Sequence, residues 1–558
     1  MKEKFLDKTK FDSYEDFMKN FHVNIPENFN FGYDIVDVYA KEQPEKKAIL
    51  WANDEGKTET VTYAQYKEMS DKVASMLLQL GIKKGDCVML ILRRRLEWWI
   101  SMIALHKIGA IAIPASQLLT AKDIIYRCHS AEIKAIIALG EQPIIDHIEK
   151  AMPDCPSLDY VISVGPAVPK GWINYHKAVA EAPEFHRIEN LNTNEDNMLL
   201  YFTSGTAGQP KMVVHSYDYP LCHFLTGFWE NLDDTSLHLT LSDTSWAMAI
   251  WGSFYPQMLA GATICIYDVV GKFDPKKLLR LMEKYHVTSF FAAPTVYRFM
   301  MHENMESYDL SSLRYCNIAG EAMYPAFYEE WKRRTGLSLM ECYGQTESAL
   351  IIGTMPWCTP RPGSMGVANP QYDIRIVDPE GNECPTGTVG HIVINCRNGH
   401  PIGLLRGYYH GDNLTAKVFR NGLYYTGDMG YRDEEGYYWF ESRADDVIKS
   451  SGYRIGPFEV EAALMTHPAV SECAITGVPD EIRGQIVKAT IVLSPDYRQE
   501  AKENGEALKK QLQIHVKETT APYKYPRVIE FVDELPKTIN GKLRRVEIRE
   551  KDAAAASK

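Results

Sequence analysis

The stretch Thr203-Ser204-Gly205-Thr206-Ala207-Gly208-Gln209-Pro210-Lys211 decides the fold. It follows the apolar run 198–202, so it reads as a loop leaving the end of a strand. Glycines let the backbone bend closely around phosphate oxygens, hydroxyls and amide N–H groups donate to them, and Lys211 supplies charge. It is not a Walker A loop, because Pro210-Lys211-Met212 stands where Gly-Lys-Ser/Thr would be required. Alone, such a string could also be a plain Ser/Thr/Gly surface turn. Its surroundings decide.

Around this loop the chain alternates helical and strand-like segments from about residue 31 to 440. Residues 63–80 place Tyr66, Met69, Val73, Met76 and Leu77 at helical spacing. A compact apolar run at 87–92 follows the turn Gly85-Asp86, then a helix over 97–108 and a second strand at 110–114. Similar runs recur at 134–138 and 288–292. Strand, helix, strand in this rhythm predicts parallel sheets covered by helices. Near residue 440 the texture changes. An aromatic, turn-punctuated piece at 433–440 leads into a segment at 442–456 dense in charge and glycine. Helices are expected at 459–466 and 506–518 and strands at 474–478 and 487–493, which makes a unit of ordinary domain size. The expected fold is α/β, with a large N-terminal body of several subdomains over 1–444 and a smaller, mobile α+β domain over 445–558. The alanine tail 553–556 is expected to fray.

Composition narrows the function. The 558 residues are 45 % hydrophobic and 24 % charged, as in an ordinary globular protein, and the net charge of −12 does not favour a nucleic-acid surface. The opening twenty residues mix acids and bases, unlike a secretory or transit peptide. The most apolar stretch, 96–115, is broken by Glu97, His106 and Lys107, so no bilayer span is expected. Eleven cysteines are scattered without a C-x-x-C pair, which argues against a zinc site or disulfide framework. A reducing, cytoplasmic compartment is the simplest expectation.

Four further strings follow the glycine loop in order. Glu341-Cys342-Tyr343-Gly344-Gln345-Thr346-Glu347 offers a hard carboxylate, Glu347, suited to a cation that bridges nucleotide oxygens. Tyr425-Thr426-Gly427-Asp428 places a carboxylate able to accept from two vicinal hydroxyls. Next come Arg443-Ala444-Asp445-Asp446 with 450–456, and Pro536-Lys537-Thr538-Ile539-Asn540-Gly541-Lys542. Together with the loop, these resemble the signatures of the adenylate-forming superfamily of acyl-CoA synthetases, peptide-synthetase adenylation domains and luciferase. The resemblance spans residues 203–542 and covers nearly the whole chain.

The resemblance implies ATP, Mg2+ and coenzyme A as cofactors and gives each string a role. Residues 203–211 cradle phosphates, Gly320-Glu321-Ala322 and 341–345 line adenine, Thr346 donates to the α-phosphate and Glu347 holds magnesium. Asp428 and Arg443 contact the ribose, Asp445 is the hinge, Arg454 neutralises phosphate charge and Lys542 is the catalytic cation. Two anions meet when a carboxylate attacks the α-phosphorus, so cations at that point should dominate the rate.

Residues 451–460 and 521–527, with 30–37 and Trp98-Trp99, look most like the medium-chain acyl-CoA synthetases. That branch makes Ser451, Gly452, Tyr453, Arg483, Tyr525 and Arg527 candidate coenzyme A contacts. Gly344 stands where acetyl-CoA synthetases carry a tryptophan, so it is expected to enlarge the acyl pocket, with Trp246 at its flank. Ala207, Ser442, Lys449 and Ser348-Ala349 depart from the usual pattern, and the last pair adds bulk near that pocket. The implied activity is ligation of a medium-chain, branched or aryl acid to coenzyme A through an acyl-adenylate. Loading of a carrier protein, or nucleotide sensing without catalysis, stays open, as does a homodimer.

Overall fold

Thr62 begins the first long helix: its hydroxyl accepts from the amide of Gln65, whose side chain answers on the Thr62 amide. That helix, Tyr63–Gln79, packs against Leu96–Ile108, every residue of which is buried and which ends at Gly109 in the left-handed region (φ 77°). Trp98 and Trp99 lie within this core. The computed structural model describes residues 1–203, 210–269, 271, 273–321, 323, 325–451, 453–480, 482–537 and 543–556, except for the side chains of 454, 555 and 556.

Three sheets organise these residues. A seven-stranded sheet runs Ile173–Asn174, Tyr160–Val164, Ala135–Leu139, Cys87–Ile91, Ile111–Pro114, Asn197–Thr203, Lys211–Ser216. It is parallel apart from the hairpin made by the last two strands. A fourteen-stranded sheet has a parallel half, from Lys47–Asn53 through Leu339–Gly344, and an antiparallel half from Leu350–Gly353 through Tyr437–Arg443. The regular helix–strand alternation stops near residue 350: the strands beyond it pair antiparallel, which needs no crossover helix, and the short helix Asp412–Val418 lies among them.

The third sheet begins at Ile448–Ser450 and has five strands, with Gly484–Leu493 between Val470–Asp480 and Val528–Val532. Helices Pro457–Met465, Arg498–Thr519 and Arg545–Ala556 accompany it. Where fraying was expected, the last helix continues through the alanine tail to Ala556, consistent with alanine's leading helix propensity. Among the described residues no helix is long and apolar enough to cross a membrane.

Candidate active site

The glycine loop connects the two strands of the hairpin, and Thr203 pairs with Lys211 at its base. A strand end was the expected setting. The Pro210 carbonyl accepts a hydrogen bond from the Tyr126 hydroxyl (2.9 Å). Ser204, Gly205, Thr206, Ala207, Gly208 and Gln209 lie outside the described residues, as do Ala322, Gly452 and Lys542.

The segment 341–347 leaves strand Leu339–Gly344 of the long sheet, yet it meets the hairpin of the other sheet directly. His215 Nε2 lies 2.7 Å from the Thr346 carbonyl oxygen. Burial lowers the His215 imidazole to about 4, so the ring is neutral near pH 7. Since a carbonyl only accepts, Nε2 carries the proton.

A short strap, 405–409, stitches the two pieces together. The Leu405 amide donates to the Glu347 carbonyl (2.7 Å) and the Tyr409 amide to the Met212 carbonyl (2.8 Å). Val213 and Tyr408 form an isolated bridge between them. From this strap the Tyr408 hydroxyl donates to Glu347 Oε1 (2.9 Å), and Lys211 Nζ sits 5.3 Å from the centre of the Tyr408 ring. Burial and the Glu347 carboxylate raise the Tyr408 hydroxyl far above its ordinary value, so it stays a donor. With Oε1 held, the second oxygen of Glu347 has no hydrogen bond among the described residues. A single carboxylate beside a phosphate loop fits Mg2+, which takes few protein ligands and fills its shell with phosphate oxygens and water.

Asp428 anchors a second cluster. Its Oδ2 accepts from the Tyr343 hydroxyl (2.5 Å) and Gln345 Nε2 (2.7 Å), and its Oδ1 from Arg443 Nη1 (3.2 Å). Tyr424 donates to Gln345 Oε1 at 3.0 Å, and Gln345 Nε2 also reaches the Thr426 carbonyl at 2.9 Å. Burial raises the Asp428 carboxyl against the opposing pull of Arg443. Arg443 Nε also approaches Asp445 Oδ1 at 3.4 Å, so one guanidinium links the ribose candidate to the hinge candidate. Glu341 lies buried behind the cluster, and burial pushes its carboxyl up to about 8. Cys342 is buried beside it. Gly320 (φ 92°) and Glu321 are exposed after strand Tyr315–Ile318, and Thr295 Oγ1 donates to Glu321 Oε2 (3.0 Å).

The pocket candidates carry a geometric surprise. A Cβ at residue 344 would fall 2.5 Å from the Ala349 carbonyl oxygen and 2.6 Å from Trp251 Cη2. The space beside the Gly344 Cα is thus taken by Trp251 and by the Ala349 backbone. Trp246 precedes helix Ala247–Ser253 and Trp251 lies within it.

In the third sheet, the Ser451 amide donates to the Arg483 carbonyl (3.0 Å). Tyr453 stacks on Tyr523 at 4.1 Å, and Arg527 Nη1 donates to the Tyr525 hydroxyl (2.6 Å). Arg454 is described only as part of strand Tyr453–Ile455. Sequence reasoning missed His215, Tyr408 and Trp251. Tyr408 had a signal in Arg406-Gly407-Tyr408-Tyr409, as did Trp251 in a second bulky ring five residues past Trp246.

The candidate cation carboxylate Glu347 and the candidate ribose carboxylate Asp428, near the strands that flank the glycine loop, are groups that a nucleotide-activating enzyme needs. The chain belongs to the AMP-binding enzyme family, whose model matches residues 36–409, and the family's C-terminal domain matches residues 459–542. It is similar to "Acyl-coenzyme A synthetase ACSM3, mitochondrial" of Pongo abelii, 40 % identical over 550 residues, with 97 % of this chain and 93 % of that one covered. It is also similar to "Acyl-coenzyme A synthetase ACSM4, mitochondrial" of Mus musculus, 39 % identical over 95 % of this chain and 91 % of the relative. Among solved structures it resembles an anthranilate CoA ligase in complex with anthranoyl-AMP (TM-score 0.86, 29 % identity, 96 % of this chain and 99 % of that one). The chain is an AMP-forming acyl-CoA ligase, a class that uses ATP, Mg2+ and coenzyme A.

The expected cytoplasmic location is corrected by these relatives, which are named as mitochondrial. Cysteines scattered singly along the chain argue against a disulfide framework; they do not distinguish one reducing compartment from another.

Proposed function

We propose that the chain joins a medium-chain, branched or aryl carboxylic acid to coenzyme A in two half-reactions, with the residues above in the roles now given. One observation carries this reading: Tyr408 and its strap bind Glu347 to the hairpin that bears Lys211 and the glycine loop. The closeness of Glu347 to Lys211 through Tyr408 supports a shared space for phosphate and cation.

In the first half-reaction a carboxylate oxygen of the acid attacks the α-phosphorus of ATP, the bond to the bridging oxygen breaks, and pyrophosphate leaves. Residues 203–211 hold the phosphates, and the Asp428 carboxylate accepts from the ribose hydroxyls once they displace its present partners. Thr346, held through its carbonyl by His215, donates to the α-phosphate. Glu347 would hold Mg2+, which supplies positive charge to the phosphate oxygens when bound. Lys542 meets the charge shared by the attacking carboxylate and the phosphate.

In the second half-reaction the small domain, residues 445–558, turns about Asp445 and withdraws Lys542. Coenzyme A then docks against Ser451, Gly452, Tyr453, Arg483, Tyr525 and Arg527. Its thiol gives up a proton and attacks the acyl carbonyl, and AMP leaves with the former carboxylate oxygen. Because Trp251 fills the space over Gly344, the body of the acid runs away from that glycine. Light scattering distinguishes a homodimer from a monomer.

The test is Lys542→Ala. Adenylation should fall by at least a thousandfold while thioester formation from supplied acyl-adenylate continues. Equal loss in both halves would end this division of labour.

A further inference from the structure

A cavity of about 600 Å3 lies apart from every residue given a role above. Strands Lys47–Asn53 and Thr58–Thr62 bound it on one side, and helices Tyr63–Gln79, Leu96–Ile108 and Tyr175–Glu181 on the others. Val61, Met69, Val73, Leu96, Ile100 and Val179 make an apolar wall. Its volume is that of a site for a small molecule, which commonly occupies 300–1,000 Å3 (roughly).

The polar part of the lining is specific. Glu97 is only 8 % exposed, and its Oε2 is buried with no hydrogen bond among the described residues. The Glu97 carboxylate is held by long pairings: Arg95 Nε lies 3.4 Å from Oε2, Arg95 Nη2 donates to Oε1 at 3.4 Å, and His176 Nε2 lies 3.4 Å from Oε1. Arg95 is shared, lying 4.0 Å from Asp268 Oδ2 and over the Trp51 ring. Glu59 and Glu68 add two more carboxylates to the lining, whereas Lys72 directs its ammonium to the Ala182 carbonyl at 2.9 Å. A carboxylate whose pairings are this long, and whose cationic partner is shared, gains from a further charged donor.

We propose that this cavity binds a small amphipathic amine, with its ammonium group against Glu97 and its alkyl or aryl body along Val61, Met69, Val73 and Ile100. An ammonium group brings three N–H donors and the charge that the lining calls for. Burying the body removes apolar surface from water on both partners. A carboxylic acid of the same length would set its anion among Glu59, Glu68 and Glu97, so the substrate of the enzyme is not the occupant. The site is also connected to the acyl pocket. Arg94 donates to the carbonyls of Ser242 (3.1 Å) and Tyr267 (2.8 Å), and Thr244 Oγ1 donates to the Leu92 carbonyl (2.5 Å). The turn carrying Arg95 and Glu97 thereby holds the loop that ends at Trp246.

The experiment titrates n-octylammonium, n-octanol and n-octanoate by calorimetry into the full chain, Glu97→Gln and Ile100→Trp. Octylammonium should bind the native chain at one site, at least tenfold more weakly to Glu97→Gln, and not to Ile100→Trp, whose larger ring fills the cavity. Val179→Trp replaces Ile100→Trp if the latter fails to fold. Octanol binding as tightly as octylammonium, or octylammonium binding undiminished in the variants, overturns the proposal, as does its failure to bind the native chain. A carboxylate in the first turn of a helix also favours the helix dipole. That role alone predicts a lower melting temperature for Glu97→Gln with amine binding unchanged.

Discussion

Replacing Tyr408 by phenylalanine isolates one hydrogen bond. The ring remains, so the contact with Lys211, whose Nζ lies 5.3 Å from the ring centre, is kept, and the strap's backbone pairing is untouched. What disappears is the hydroxyl donating to Glu347 Oε1 at 2.9 Å. A hydrogen bond to a charged acceptor is worth about 1.5–3 kcal/mol, which corresponds to roughly 10- to 100-fold in rate or affinity. The loss should fall on the step that uses the Glu347 carboxylate with Mg2+. Pyrophosphate release at saturating acid, with Mg2+ titrated, should show a raised Mg2+ requirement and a lower kcat/KM for ATP. Calorimetric binding of Mg2+ with a non-hydrolysable ATP analogue should weaken in parallel, without turnover. Thioester formation from supplied acyl-adenylate should stay within twofold of native. An unchanged Mg2+ dependence would refute the reasoning, and so would an equal loss in both half-reactions.

Gly344→Ala should destabilise the chain by about 1–3 kcal/mol in urea unfolding, the usual cost of overpacking, because its Cβ would meet the Ala349 carbonyl and Trp251. Adding Trp251→Ala should recover only part of this, since the carbonyl remains; full recovery would mean the backbone yields freely. Glu341 gives stability a pH dependence of definite sign. Its carboxyl sits at about 8 in the folded chain against an ordinary 4.5, so across that window the folded state keeps a proton that the unfolded state loses. Stability should therefore fall as pH rises from 5 to 8, by at most about 1.4 kcal/mol per pH unit, and Glu341→Gln should flatten the profile; an equally steep profile in the variant would disprove the assignment. His215→Ala should slow pyrophosphate release roughly fivefold through loss of about 1 kcal/mol at the Thr346 carbonyl. His215→Gln, which keeps a donor, should restore most of it, and no rescue would reduce His215 to packing.

The parts of the candidate site that the sequence could nominate were those made by neighbours in the chain. The glycine loop, the segment 341–347 and Asp428 each carry their chemistry within a few residues, and the helical and strand periods around them follow from local patterning. Pairings between distant segments left no such mark. Nothing in Gly344 itself reveals that Trp251, ninety-three residues earlier, has taken the space above it. The strap 405–409 reads as an ordinary turn-rich stretch until its amides are seen on Glu347 and Met212. The fraying assigned to the alanine tail weighed its terminal position above its helix propensity, and propensity prevailed.

Few stretches of this chain can change length as little as the strap. Its Leu405 amide is committed to the Glu347 carbonyl, in the turn that follows strand Leu339–Gly344, and its Tyr409 amide to the Met212 carbonyl in the hairpin. Five residues must cover that gap, and each added or deleted residue shifts an extended segment by about 3.3 Å and turns its side chains over. A one-residue insertion would swing Tyr408 away from Glu347 while leaving both flanking motifs intact in sequence. Among kindred chains, a gap at this place should mark those that have given up activating their acids, even where every signature string survives.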